Sequence, residues 1–443
     1  MSDSTPGLHG SATTGTVRRR EVLAWAFYDF ANSGYTTVVL TTIYSAYFVA
    51  VVAGDLDAAS PGLATLLWTI AIALANLCVL VSGPVVGAVA DNRATKKPFL
   101  LVTTGVCVLA TALLGFAGPG DVALGMGLLV VSAIAFASGE NLIAAFLPEI
   151  ADKEQMGRIS GFGWSVGYFG GLLTLGSCLA YITWAQGRGQ DSVDYVPVTL
   201  WITAVIFVFA AAPTFLWLRE RAQPGPLVTG LSYLRQGFNQ VRQTLVHATH
   251  YRDLFRFLIC LTAFQSGVAT VIVIAAIYAQ DVMGFDSQQL IILIMVVNLT
   301  AAVGAFGFGF VQDRYGSVPS LAGAILIWVA AIGVTFFATQ PVHVWLAGNL
   351  VGLAMGSTQA GGRALIGRLT PRGRSAEFFG LWGLASRAAS ILGPLTYGIV
   401  SRLSHGDHRI ALLSTLVFFI VGFIVLMGVN EARGIAAGDV EPV

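Results

Sequence analysis

Four ionisable residues stand where a bilayer-crossing chain would avoid them. Asp29, Glu140, Arg363 and Arg387 each fall inside or at the edge of a run long and apolar enough to span a membrane. A charge at mid-membrane costs about 2.5–3.5 kcal/mol on insertion scales, so such groups usually face an internal polar path and work there. Two carboxylates on one cavity can share a proton or hold a cationic group. A guanidinium can grip a carboxylate or phosphate through its two-pronged geometry. The chemistry suggested is proton exchange and ion recognition.

Each position has a functional and a structural reading. Asp29 lies eight residues past Glu21, ~12 Å along a helix axis. It suits a proton carrier or cation anchor; otherwise it is an ion pair near one membrane edge. Glu140, with Asn141 beside it, sits about two turns from its helix end, a depth similar to that of Asp29. It either shares that cavity or pairs with Arg363 as a gate. Arg363 is near a helix end and can snorkel. Arg387 is some eleven residues into its run, ~17 Å deep. It suits a substrate carboxylate or phosphate, or a pair with Asp29 or Glu140. Asn32, Ser33, Gln265, Ser266, Thr270 and Gln359 offer neutral hydrogen bonds, which also join helices in lipid. Trp25, Tyr28, Tyr35, Trp164, Tyr168 and Trp382 can stack on a substrate or simply pack.

The elements that must position these residues are membrane helices. The 443 residues are 56% hydrophobic and 11% charged, with mean hydropathy +0.76; soluble domains carry about 25% charged residues. A net charge of +1 leaves no nucleic-acid footprint. Twelve spans are predicted over 22–52, 63–90, 98–117, 122–147, 160–183, 197–218, 254–280, 287–311, 317–338, 342–368, 376–401 and 409–429. Continuous apolar runs, not alternating ones, argue for helices over a barrel. Arg18, Arg19, Arg20, Arg93, Lys96, Lys97, Lys153, Arg158, Arg314, Arg372 and Arg374 fall on one side, so both termini are expected to be cytoplasmic. No cleavable signal peptide is evident, because the first apolar run is too long and has a polar middle.

The longest break, 219–253, separates two six-helix units (21–218 and 254–430) and carries a Leu227, Leu231, Leu234, Phe238, Val241, Leu245 stripe. That pattern predicts an amphipathic helix on the cytoplasmic face. Residues 1–20 and 431–443 are expected to be cytoplasmic tails. Cys78, Cys107, Cys178 and Cys260 lie in apolar runs without metal spacing and read as small core residues. The six histidines are placed in tails or loops. No phosphate-binding Gly-x-x-x-x-Gly-Lys or metal-helix His-x-x-x-His is present.

The two units repeat. Gly87-Ala-Val-Ala-Asp91-Asn92-Arg93 and Gly309-Phe-Val-Gln-Asp313-Arg314 stand half a chain length apart. Asn32-Ser33-Gly34 corresponds to Gln265-Ser266-Gly267. Six helices repeated in parallel is a signature of a two-bundle transporter. Gly83-x-x-x-Gly87, Gly163-x-x-x-Gly167 and Gly352-x-x-x-Gly356 predict close helix contacts.

The Gly-x-x-x-Asp loops resemble those of the major facilitator superfamily. Within it, Tyr28-Asp29-Phe30-Ala31-Asn32-Ser33, Phe146-Leu-Pro148-Glu149-Ile150-Ala151, Arg158-Ile-Ser-Gly161-Phe-Gly-Trp164, Gly356-Ser-Thr-Gln359 and Ala376-Glu377-Phe378-Phe379-Gly380-Leu381 resemble the vacuolar amino-acid effluxer family and its bacterial relatives. The Asn-Asp-Gly of that family's seventh helix is Gln265-Ser266-Gly267 here, so the carboxylate that the resemblance implies at this position is absent. The resemblance implies an all-α fold of twelve transmembrane helices in two pseudo-symmetric bundles, with helices 1, 4, 7 and 10 lining a central cavity and 5 and 11 beside them.

On this reading the chain is a secondary transporter of a small polar solute, an amino acid or similar compound, working by alternating access with proton coupling and efflux. Substrate contacts are expected from Arg387, Asn32, Gln265, Gln359, Tyr28 and Tyr168. Proton handling falls to Asp29 and Glu140, and gating to Asp91, Arg93, Asp313, Arg314 and Arg363. No metal, cofactor, catalytic residue or nucleic-acid partner is expected; the protein should be a monomer in lipid, in a bacterial inner membrane. Uniport, organic-anion transport and a non-transporting sensor are the alternatives. A membrane enzyme would need a catalytic cluster that the sequence lacks.

Overall fold

A computed structural model describes residues 18–93, 95–150, 156–221, 251–370 and 375–439. Among them are twelve long helices: α1 Arg19–Val52, α2 Leu63–Arg93, α3 Lys96–Leu114, α4 Val122–Ala144, α5 Met156–Gln186, α6 Ser192–Trp217, α7 Arg252–Met283, α8 Ser287–Tyr315, α9 Ser317–Phe336, α10 Pro341–Leu369, α11 Ser375–Leu403 and α12 His408–Met427. Ten are long and apolar enough to cross a membrane. The remaining two, α10 and α11, carry Arg363 and Arg387 together with several glycines, and their hydropathy falls short. The greasy flank of the protein and its polar seam are thus already separated by helix.

The helix ends are set by local chemistry. Asp191, Asp286 and Asp407 cap α6, α8 and α12 by accepting backbone N–H groups, which satisfies donors that a helix start leaves open. Gly284 ends α7 in the left-handed region at φ 67°, where a side chain would clash. The helix α1 departs from the predicted single α-helix. It carries two π-helical stretches, Thr36–Thr42 and Phe48–Val52, on either side of a short α turn. Such turns are often associated with function.

Polar contacts assign the two faces. On the side of the chain ends, Glu21 at the start of α1 pairs with Arg221 beyond α6 at 2.8 Å, and Lys96 at the start of α3 pairs with Glu149 beyond α4 at 2.9 Å. In the other half, the Arg433 guanidinium grips Asp253 at the start of α7 at 2.6 Å, and Glu431 accepts from Ser317 and Arg368. Burial pushes the Glu431 carboxyl up, but the hydrogen bonds from Ser317 and Arg368 outweigh it and hold the group below its usual range. The segment read as a C-terminal tail therefore includes a short helix, α13 Glu431–Asp439, tied to its own half. Residues 222–250, where the amphipathic linker helix was expected, lie outside the described residues.

On the opposite side, polar contacts cross between halves. Tyr195 and Ser287 share a hydrogen bond at 2.9 Å, and Gln288 donates to Gln186 at 2.7 Å. A Cβ at Gly62 would come within 2.8 Å of the Ser401 carbonyl oxygen. Among the described residues the halves are thus joined away from the termini, while the Glu21–Arg221, Lys96–Glu149 and Arg433–Asp253 pairs on the terminal side each stay within one half.

Glycine makes the close helix pairs. A Cβ at Gly163 of α5 would meet the Asp29 carboxylate and the Trp25 ring of α1, and one at Gly170 would collide with the Phe30 backbone. In the second half, Gly393 of α11 presses on the Ser266 backbone of α7 in the same way. The repeat read from motifs is therefore also a repeat of backbone contacts. Gly170→Leu is expected to lower the melting temperature of the purified protein by about 5 °C or more, from overpacking of about 1–3 kcal/mol. Gly176→Leu on the same helix faces open space and should leave it unchanged. Equal behaviour of the two variants would refute this account of the α1–α5 seam.

Candidate functional site

The four charges that opened the sequence analysis come together in the seam between halves, nearer the side of the chain ends: Glu140 lies four residues before the end of α4 and Arg363 six before the end of α10. Glu140 on α4 and Arg387 on α11 form a short ion pair across it, and the Arg387 guanidinium also donates to the Asn141 amide oxygen at 3.4 Å. The side chains are 43% and 18% exposed, so the pair is reachable by water. The alternative of a Glu140–Arg363 gate is corrected by this geometry. Arg363 on α10 instead lies between two indoles, with its guanidinium carbon 5.5 Å from the Trp164 ring centre and 5.4 Å from that of Trp382. A guanidinium at this distance is attracted by the negative ring faces. Trp164 belongs to α5 and Trp382 to α11, so this contact also bridges the halves. Tyr168 continues the aromatic wall, 6.1 Å from Trp164.

Asp29 is partly exposed, with its carboxylate against Gly163. It lies within electrostatic reach of both Glu140 and Arg363. Among the described residues it makes no hydrogen bond or ion pair of its own. Two carboxylates and two guanidiniums thus share one region, and their formal charges cancel. Deeper in the second half, the Gln265 amide donates to Gln359 at 3.2 Å, joining α7 to α10. The Gln265 oxygen and both amide atoms of Asn32 are buried without a hydrogen-bond partner. A buried polar atom left unpaired costs about 1–3 kcal/mol, so these three atoms are sites where a bound solute or water is expected.

Not every expected residue faces this region. Tyr28 is 1% exposed and turns into the first bundle, where its hydroxyl meets Thr104 at 2.8 Å and its ring meets Phe207 edge-on. We read it as packing, a correction to its expected substrate contact. Tyr35 does the same against Ser132 and Phe136. Asp91 and Arg93 close α2, and Asp313 and Arg314 close α8. Of these four only the Arg314 side chain is among those described, exposed beside the Tyr315 ring.

Sequence reasoning missed one polar cluster entirely. His408 had been placed in a loop, yet it begins α12 and is 9% exposed. Its Nδ1 lies 3.0 Å from the Tyr397 hydroxyl and its Nε2 3.3 Å from the Asp281 carboxylate. The apolar run begins one residue later, so hydropathy alone gave no signal; the Asp407 cap did. His343, also assigned to a loop, lies in the first turn of α10.

Comparison with known proteins places the whole assembly. A family described as "Vacuole effluxer Atg22 like" matches residues 63–439. An uncharacterised major-facilitator-type transporter, YxiO of Bacillus subtilis, is 28% identical over 92% of this chain and 94% of its own. Autophagy-related protein 22-1 of Neosartorya fischeri is 26% identical over 62% of this chain and 49% of that one. Among solved structures, a nucleoside transporter, NupG, superposes with a TM-score of 0.70 at 12% identity, covering 93% of this chain and 100% of that one. A D-xylose–proton symporter gives 0.69 at 15% identity, covering 94% and 98%. At such identities the structures speak for the fold alone, two helical bundles of the major facilitator type. Taken with the family match over most of its length, this makes the chain a membrane transporter and not an enzyme: it belongs to the Atg22-like vacuole effluxer family of the major facilitator superfamily.

Proposed function

We propose that this transporter moves a small polar solute bearing a carboxylate, an amino acid or similar compound, by alternating access coupled to protons. The observation that carries the reading is the Glu140–Arg387 pair spanning the seam. A solute carboxylate and the Glu140 carboxylate compete for one guanidinium. When Glu140 loses that contest, or takes a proton, the tie between halves is released.

Charge balance supplies the coupling. The cluster of Asp29, Glu140, Arg363 and Arg387 is formally neutral. A solute carboxylate that takes Arg387 leaves the Glu140 carboxylate without its guanidinium, whether the solute is an anion or a zwitterion, and that loss is costly. A proton on Asp29 or Glu140 offsets that loss. Asn32, Gln265 and Gln359 offer neutral hydrogen bonds to the rest of the solute, and Trp164, Tyr168 and Trp382 form its apolar wall. With the termini in the cytoplasm, this reading has the solute approach from within and leave across a bacterial plasma membrane, and the contacts between halves on the far side support it.

The test is thermal stabilisation of purified protein by a panel of amino acids, organic acids and amines, followed by flux in liposomes with an imposed pH gradient. A zwitterion that raises the melting temperature and is driven by the gradient supports the reading. Stabilisation by organic acids alone, with flux indifferent to pH, replaces it with organic-anion uniport. If no compound stabilises the protein and none is carried, the site assignment fails.

A further inference from the structure

The side away from the termini holds a second feature that the transport reading does not use. A cleft of about 50 Å³ lies between halves, walled by the outer part of α1, the start of α6, the end of α7 and the start of α8. Its polar lining is Thr42, Tyr47, Ser192, Gln280 and Ser287. None of its lining residues is charged. Thr42 is fully buried and Tyr47 is 4% exposed, yet neither hydroxyl has a hydrogen-bond partner. Both stand at the two π-helical stretches of α1: Thr42 ends the first, and Tyr47 immediately precedes the second.

We propose that this cleft binds a monovalent alkali cation of sodium size, held by the neutral oxygens of Thr42, Tyr47, Ser192, Gln280 and Ser287. Hard cations take oxygen ligands. Hydroxyl and amide oxygens present lone pairs without adding charge, which suits an ion of single charge. A divalent ion would ordinarily recruit carboxylates, and none lines the cleft. The surrounding field favours a cation over an anion. Asp191 and Asp121 lie within electrostatic reach of the Tyr47 hydroxyl. The space suffices for roughly one ion with one or two waters.

The ligands come from both halves: Thr42, Tyr47 and Ser192 from the first, Gln280 and Ser287 from the second. Parting the halves on this side would pull the set apart. A cation bound here therefore favours the conformation in which this side is joined, by its difference in affinity for the two states. Sodium would then bias the transporter without entering the central site.

The experiment is a melting curve of the purified full chain in sodium, potassium and choline chloride at one ionic strength. No solute is present, so the result is independent of the proposed substrate. Sodium is expected to raise the melting temperature saturably, by about 3 °C over choline. Thr42→Val and Tyr47→Phe, both close in shape, are expected to remove that rise. Gln280→Leu, at the cleft margin, should shift the half-maximal sodium concentration upward at least tenfold. A melting temperature identical in the three salts means that the cleft holds water only and overturns the proposal. So does a sodium response that all three variants retain, because the ion then sits elsewhere.

Discussion

Arg387→Ala is expected to cut solute flux about a hundredfold, a loss of roughly 2.7 kcal/mol at the transport barrier, while leaving the folded protein close to wild type in yield and melting temperature. The two effects separate because of where the pair sits. Arg387 and Glu140 are partly exposed to water, and such pairs contribute little to stability. On the proposed mechanism the same guanidinium is the handle from α11 on an incoming carboxylate, and its release from Glu140 frees the seam. Glu140→Gln should weaken the tie without removing the handle, so flux should survive but lose its dependence on the proton gradient in part. The reversed pair, Glu140→Arg with Arg387→Glu, should restore seam contact without restoring flux. Flux near wild type in Arg387→Ala would reduce the pair to a structural fastener. The measurement is initial uptake in liposomes, normalised to folded protein.

The second large effect is expected at Asp29. Asp29→Asn keeps the shape of the side chain against Gly163 and removes its ability to gain and lose a proton. Gradient-driven accumulation should fall at least tenfold, or roughly 1.4 kcal/mol. Exchange of labelled for unlabelled solute, which needs no net proton movement, should stay within about threefold of wild type. If accumulation persists in Asp29→Asn and disappears in Glu140→Gln, the proton is carried on α4 and not on α1. Loss of both accumulation and exchange would make Asp29 a direct solute contact.

The sequence revealed the helices better than it revealed the partnerships. Twelve apolar runs predict twelve helices because lipid leaves a spanning backbone little choice, and their ends shifted by a few residues only. The four charged positions were also legible, since a charge inside an apolar run stands out by itself. Which carboxylate meets which guanidinium was not. Arg363 and Arg387 lie on different helices, and their pairing depends on the rotation of each helix about its axis, which no local rule fixes. In the structure two indoles, one from α5 and one from α11, flank Arg363, and Glu140 meets Arg387. Tyr28 was misread for a related reason. It neighbours Asp29 in sequence, but successive residues on a helix point about 100° apart, and the two side chains serve different neighbours. His408 escaped because it precedes its apolar run.

The π-helical turns of α1 have a consequence for how such a protein can diversify. A π turn accommodates an extra residue without lengthening the helix by a full turn, and it rotates everything beyond it by about 100° relative to an uninterrupted α-helix. Before the first π turn, Tyr28 and Tyr35 belong to the first bundle; beyond it, between the two π stretches, Ala46 and Tyr47 line the boundary with the second. One continuous helix therefore answers to two sets of neighbours. Insertion or loss of a single residue between the two sets would re-aim the outer stretch and leave the inner one undisturbed. Lineages could thus retune the far side of the machine by a one-codon change in length, while the stretch of the same helix that carries Asp29 and Asn32 is inherited intact.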